Sequence, residues 1–126
     1  MNIKIRSTNF DITPSIDAYV SKKIGTLAKF LESYGSGLLC EVEIGKTTGH
    51  HKHGDIFKAE VNIILPGGSQ IFAKAEEADI YTAIDMVRDN AEREIVSKKN
   101  KRETMFKRGA IHIKNLLKRI DFRRKK

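Results

Sequence analysis

The chain has 126 residues, 40% of them hydrophobic and 32% charged, with a formal net charge of +8. That is enough apolar material for one compact domain and too little for a second. Its apolar stretches, such as Val61 to Leu65, fall far short of the roughly 20 residues needed to cross a bilayer, and the opening MNIKIRSTNF has no apolar signal core, so an unprocessed cytoplasmic protein is predicted.

Residues 2–8 alternate, with Ile3 and Ile5 on one face and Lys4 and Arg6 on the other, the pattern of a half-buried strand. In DITPSID, Thr13 can cap a helix and Pro14 stands at its first position, where a missing N–H does no harm. Ile16, Val20, Ile24, Leu27 and Leu31 then recur at helical spacing and predict one buried stripe. The helix is expected to end in ESYGSG, where Gly35 and Gly37 supply positive φ.

LLCEVEIGK sets Cys40, Val42 and Ile44 against Glu41 and Glu43, and DIFKAEVNIIL sets Phe57, Ala59, Val61, Ile63 and Leu65 against Lys58, Glu60 and Asn62. Both read as strands of an antiparallel sheet with a single wet face. Cys40, the lone cysteine, fits a small buried side chain better than a reactive thiol. Pro66, Gly67 and Gly68 form the next turn, and SQIFAKAE is a fourth strand with Ile71, Ala73 and Ala75 inward.

Asp79 is placed to cap a second helix, whose buried stripe is Ile80, Ile84, Val87, Ala91 and Ile95. SKKNKRE then replaces the apolar positions with strong helix formers, so the helix is expected to continue as an exposed basic rod. Gly109 predicts a break. Beyond it, Ile113, Leu116, Leu117 and Ile120 at helical spacing predict either a short amphipathic helix or a segment that orders only on a partner. The reading is an α+β fold, β-α-β-β-β-α, whose four-stranded sheet carries two helices on its one apolar face. It divides into a domain over residues 1–106 and a basic tail over residues 107–126.

Charge is unevenly spread along this order: residues 1–87 sum to −2 and residues 88–126 to +10. Such asymmetry points to a polyanionic partner, a nucleic acid or an anionic membrane surface. Lys22, Lys23 and Lys29 lie off the first buried stripe, and Arg93, Lys98, Lys101 and Arg102 follow helical spacing in the second helix. Together they are candidates for a basic surface that meets phosphates without reading bases. With no Trp and only nine aromatics, most of them in the core pattern, a single-strand binder built on stacking is disfavoured against recognition of folded RNA by shape. The bland reading is a solvated helix face.

The element order, the ITPSIDAYVSKKIGTLAKF helix, the HKHGDIFKAEVNI strand and above all ADIYTAIDMVRDNAEREIVSKKNK resemble the ribosome hibernation promoting factor family, also called ribosome-associated inhibitor or sigma-54 modulation proteins. The resemblance covers residues 1 to about 103 and is carried most specifically by Asp79, Tyr81, Ala83, Ile84 and Asp85, then Glu92, Arg93 and the basic helix end. It implies a fold like that of double-stranded RNA-binding domains, seated on the small ribosomal subunit in the channel of mRNA and the A-site and P-site tRNAs. It also implies that 16S rRNA and ribosomal proteins are the partners; separately, the free protein is expected to be a monomer. By position, Lys23, Lys29, Arg93, Lys99 and Lys101 match places where the family shows cations facing RNA. Asn90 and Ser97 depart from it, standing where relatives often have Lys, with Lys98 and Arg102 nearby. The chain looks like a short-form member, without the domain that pairs ribosomes in long members but with a basic tail of its own.

GHHKHGD puts His50, His51 and His53 into four residues. A structural zinc site generally needs four ligands, and Cys40 and His112 are distant in sequence, so no metal site is expected. Asp55, Thr47 and Thr48 are near, but no cleft-forming or phosphate-cradling motif accompanies them, so no catalytic residues are assigned. The reading is an exposed hairpin tip. The expected protein is a translation regulator, not an enzyme, with no cofactor, no small-molecule substrate and no membrane partner. Two other classes remain open: a peripheral membrane protein acting through the basic tail, and a metal-dependent RNA-processing enzyme using the histidine turn.

Overall fold

In a computed structural model, which describes residues 1–47 and 54–124 with side chains through Leu116, the chain forms four strands and one long and one short α-helix. The strands are β1 (Asn2–Thr8), β2 (Leu39–Thr47), β3 (Ile56–Ile64) and β4 (Gln70–Glu77); the helices are α1 (Pro14–Gly25) and α2 (Ile80–Arg124). The sheet order is β1-β2-β3-β4. β1 runs parallel to β2, which the α1 crossover makes possible, while β2–β3 and β3–β4 are antiparallel. His50, His51 and His53 lie outside the described residues.

Alternation along the strands places Cys40, Val42, Ile44, Ala59, Val61, Ile63, Ile71 and Ala73 on one face, where they are buried with Ile16, Val20 and Ile24 of α1 and Ile84, Val87 and Ile95 of α2. Burying this shared apolar surface is the principal drive for the fold. The opposite sheet face keeps Glu41, Glu43, Lys58, Glu60 and Asn62 in partial contact with water. Burial also pushes the Cys40 thiol up to about 12, with the charge of Glu41 adding to it, which keeps it protonated and unreactive at neutral pH.

Local signals account for the boundaries. The Ile16 amide donates to Thr13 Oγ1 at 3.2 Å, and Pro14 opens α1. Asp79 Oδ2 accepts from the Thr82 amide at 3.0 Å at the start of α2. The β3–β4 turn closes through the Gly68 amide to the Leu65 carbonyl at 3.1 Å, with Gly67 and Gly68 both at φ +91°. That is a conformation a side chain would strain.

Two expectations are corrected. The first helix is α-helical only to Gly25; the chain then tightens into 3₁₀ turns over Thr26–Phe30 and Glu32–Tyr34. The Thr26 hydroxyl donates to the Lys23 carbonyl at 2.6 Å, capturing an acceptor that a continuing α-helix would use. Leu27 and Leu31 stay buried nonetheless. The break expected at Gly109 is also absent, because α2 is continuous from Ile80 to Arg124. One glycine in a helix costs only about 1 kcal/mol, which the strong helix formers around it offset.

Met1–Ile95 forms one compact unit and the stretch from Val96 onward a second. Among the described side chains of α2, Ile95 is the last that is buried, and residues 100–116 are exposed throughout.

Candidate nucleic-acid interface

The cations of the first unit are held by neighbours that the sequence pattern does not reveal. On α1, Lys23 Nζ lies 3.6 Å from Asp85 Oδ1 of α2 and 5.6 Å from the centre of the Tyr19 ring. Tyr19 itself donates from its hydroxyl to the same Asp85 oxygen at 2.6 Å and meets Tyr81 edge to face, ring centres 4.9 Å apart. The hydrogen bond to Asp85, then desolvation, pushes the Tyr19 phenol from its ordinary 10.0 up to about 12. Both side chains of the Lys23–Asp85 pair are more than a third exposed, so solvent screens the attraction and the ammonium can turn to an arriving phosphate.

Lys29 sits in the 3₁₀ turn with its ammonium 5.1 Å from the Phe30 ring, and Lys22 is exposed on α1. Arg93 is exposed on α2, its guanidinium donating to Asn90 Oδ1 at 2.9 Å. The Asn90 amide in turn donates to the Lys74 carbonyl at 3.0 Å, which ties Arg93 to the edge strand β4. An open groove there is lined by Phe72, Lys74, Asn90, Arg93 and Glu94. Asn90 is thus the residue that orients Arg93.

Arg88 is the residue that sequence reasoning passed over. Its side chain is only 15% exposed; Nε donates to Thr26 Oγ1 at 2.9 Å, and the same guanidinium reaches Glu92 at 2.8 Å and Asp89 at 3.1 Å. The ring of Phe30 lies 5.8 Å below it. Arg88 therefore ties α2 to the turn that carries Lys29. The only local hint was its four-residue spacing to Glu92, common to many solvated helix pairs.

In the second unit Lys98, Lys99, Lys101 and Arg102 follow one another along α2, the first two half-buried and the last two exposed. Lys98, Lys101 and Arg102 share a face by their three- and four-residue spacing. The structure thus joins Lys23 to α2 through Asp85 and Lys29 to Arg88 through Phe30, and sets Arg93 beside β4. Among the described residues no group of three or more His, Cys, Asp or Glu side chains is placed to hold a metal ion.

Fold and side-chain arrangement define a small α+β domain, one sheet backed by two helices whose outer sides carry Lys and Arg. The family model for the sigma 54 modulation protein / S30EA ribosomal protein matches residues 3–103. The chain belongs to that family. It is 28% identical over 101 residues to the ribosome hibernation promoting factor of Azotobacter vinelandii, covering 80% of this chain and 85% of that one. With the ribosome hibernation promotion factor of Bacillus subtilis it shares 27% over 107 residues, 85% of this chain and 53% of the relative, so it spans about half that protein's length. Among solved structures, the N-terminal domain of Thermus thermophilus Protein Y aligns with a TM-score of 0.62 at 32% identity, covering 75% of this chain and 96% of that domain. A ribosomal subunit interface protein from Coxiella burnetii shares the fold, with a TM-score of 0.61 at 21% identity over 79% of this chain and 99% of the other.

Proposed function

We propose that the chain is a ribosome hibernation factor: it binds the small ribosomal subunit where mRNA and the A-site and P-site tRNAs pass, and inhibits translation in stationary phase or stress. The family match over residues 3–103 carries this reading. The name of the Azotobacter vinelandii relative points the same way. The mechanism is occlusion, in which cations meet 16S rRNA phosphates and shape fills the channel. It requires no cofactor and no catalytic group. The binding domain is residues 1–106, the contacts are Lys22, Lys23, Lys29, Arg93, Lys98, Lys99, Lys101 and Arg102, and the free protein is a cytoplasmic monomer.

Arg88 and Asp85 serve this reading as positioning residues, because they fix the turn and helix from which Lys29 and Lys23 reach outward. Electrostatic binding of this kind is salt-sensitive, with log affinity falling by roughly 0.7 to 0.9 per phosphate neutralised for each decade of salt. Sucrose-gradient sedimentation with purified small subunits tests the assignment. Replacing Arg93, Lys98, Lys99 and Lys101 together with Glu should abolish co-sedimentation and flatten its salt dependence, while replacing His50, His51 and His53 with Asn should weaken it less. The reverse ranking would refute the assignment of the site.

A further inference from the structure

The far part of α2 carries an exposed apolar stripe to which the proposed ribosomal contacts assign no role. Met105 is 72% exposed, Phe106 78%, Ile113 59% and Leu116 43%. At about 100° per residue these four fall within an arc of roughly 100° along about 16 Å of helix. Gly109 lies inside the same arc and adds no polar atom, and the absence of a break there is what makes the stripe continuous. By the same geometry Arg108 lies about 60° outside one edge, and Lys114 and Lys107 lie about 80° and about 100° outside the other, so the cations occupy one flank and the opposite, polar face. Ile111 stands apart, on the polar side. No Asp or Glu occurs from Thr104 to Ile120.

This arrangement selects among occupants. A second copy of the helix would set Lys and Arg against Lys and Arg, with no acid to pair them. RNA would satisfy the cations, but it gains nothing from Met, Ile and Leu, and one phenylalanine makes a poor stacking platform. An acidic protein groove would satisfy both, but it would have to match the spacing of these particular side chains. An anionic lipid surface needs no register. It takes the apolar arc at the acyl boundary while Arg108 at the flank and the Lys of the polar face meet the headgroup phosphates. No helix among the described residues is long and apolar enough to cross a membrane, so the segment would lie on the surface.

We propose that residues 105–116 of α2 form an interfacial helix that docks on anionic lipid, a second binding surface beyond the ribosomal one and carried by different residues. The test is co-sedimentation of the full chain with phosphatidylcholine vesicles, with and without phosphatidylglycerol. Binding to the phosphatidylglycerol vesicles should exceed binding to the neutral ones by at least about tenfold, and the double substitution Phe106→Ser and Ile113→Ser, which leaves every charge in place, should reduce it by at least about tenfold. Because the chain has no Trp, Phe106→Trp supplies a reporter whose emission should shift to the blue on phosphatidylglycerol vesicles alone. Equal binding to both vesicles, full binding by the serine variant, or no spectral shift would overturn the proposal. So would loss of small-subunit co-sedimentation by the serine variant without loss of vesicle binding, which would place the stripe in a protein groove. These positions lie outside the compact unit, so an unchanged thermal transition in each variant shows that the domain is intact. Failure of the hibernation reading would appear separately, in the small-subunit sedimentation of the charge-reversal variant.

Discussion

α2 is one continuous helix governed by two kinds of physics. From Ile80 to Ile95 it is held by packing, with Ile80, Ala83, Ile84, Val87, Ala91 and Ile95 all buried against a sheet and a second helix. From residue 100 to 116 every side chain is exposed, and backbone hydrogen bonds and the helix preference of Lys, Arg, Glu, Met, Ala and Leu help sustain it where packing does not. Most helical stability in proteins comes from burial of an amphipathic face. The first segment has that burial and the second only the amphipathic face. The two segments therefore differ in what fixes them: one ties Asp85 and Arg88 to α1 and its turn over a packed core, and the other is exposed along its length.

The largest effect that would break this comparison lies in the packed segment. Ile84→Ala should lower unfolding stability by about 2–5 kcal/mol, because a fully buried isoleucine leaves a cavity that its neighbours fill only partly. Urea unfolding followed by circular dichroism measures it. A loss smaller than that of an exposed substitution would mean that this face is not packed as described.

Next in size is the Tyr19–Asp85 bond that joins α1 to the packed segment. Tyr19→Phe should cost about 1 kcal/mol at neutral pH. Since the phenol holds its proton more tightly in the folded chain, its contribution is complete below pH 10 and is lost as pH rises towards 12. Spectrophotometric titration of the tyrosines should show a late component near the top of that window, absent in the variant. If all three tyrosines titrated together near their ordinary value, the bond would not exist in solution.

The smallest effect sharpens the other side of the comparison. Gly109→Ala, at a position where an added Cβ meets nothing within 4 Å, should stabilise the exposed segment locally by about 1 kcal/mol. Hydrogen exchange of amides near residue 109 should slow severalfold while the unfolding midpoint of the compact unit stays fixed. A shifted midpoint would show that the two segments unfold as one.

Much of this architecture is local and therefore legible in the chain. Strand alternation, the Thr13 and Asp79 caps, the Pro66–Gly68 turn and the two helical stripes each depend on residues within a few positions of one another, so their signatures survive in a linear pattern. The eight candidate cations were legible as a list of charges, and Lys23, Lys29, Arg93, Lys99 and Lys101 also as matches to a family. Their orientation was not, because charge alone specifies neither a partner nor a direction.

What the sequence determined by itself was thus the element order, the buried face of each element and the concentration of positive charge towards the C-terminal end. Only the tertiary structure decided that β1 runs parallel to β2, that α1 gives way to 3₁₀ turns after Gly25, and that α2 passes Gly109 unbroken. It alone joined Tyr19 to Asp85 across 66 positions and Arg88 to Thr26 across 62. The reason is physical. A bond between side chains so far apart in the chain forms only after the shared core has brought their helices together, and no local preference of either residue encodes it.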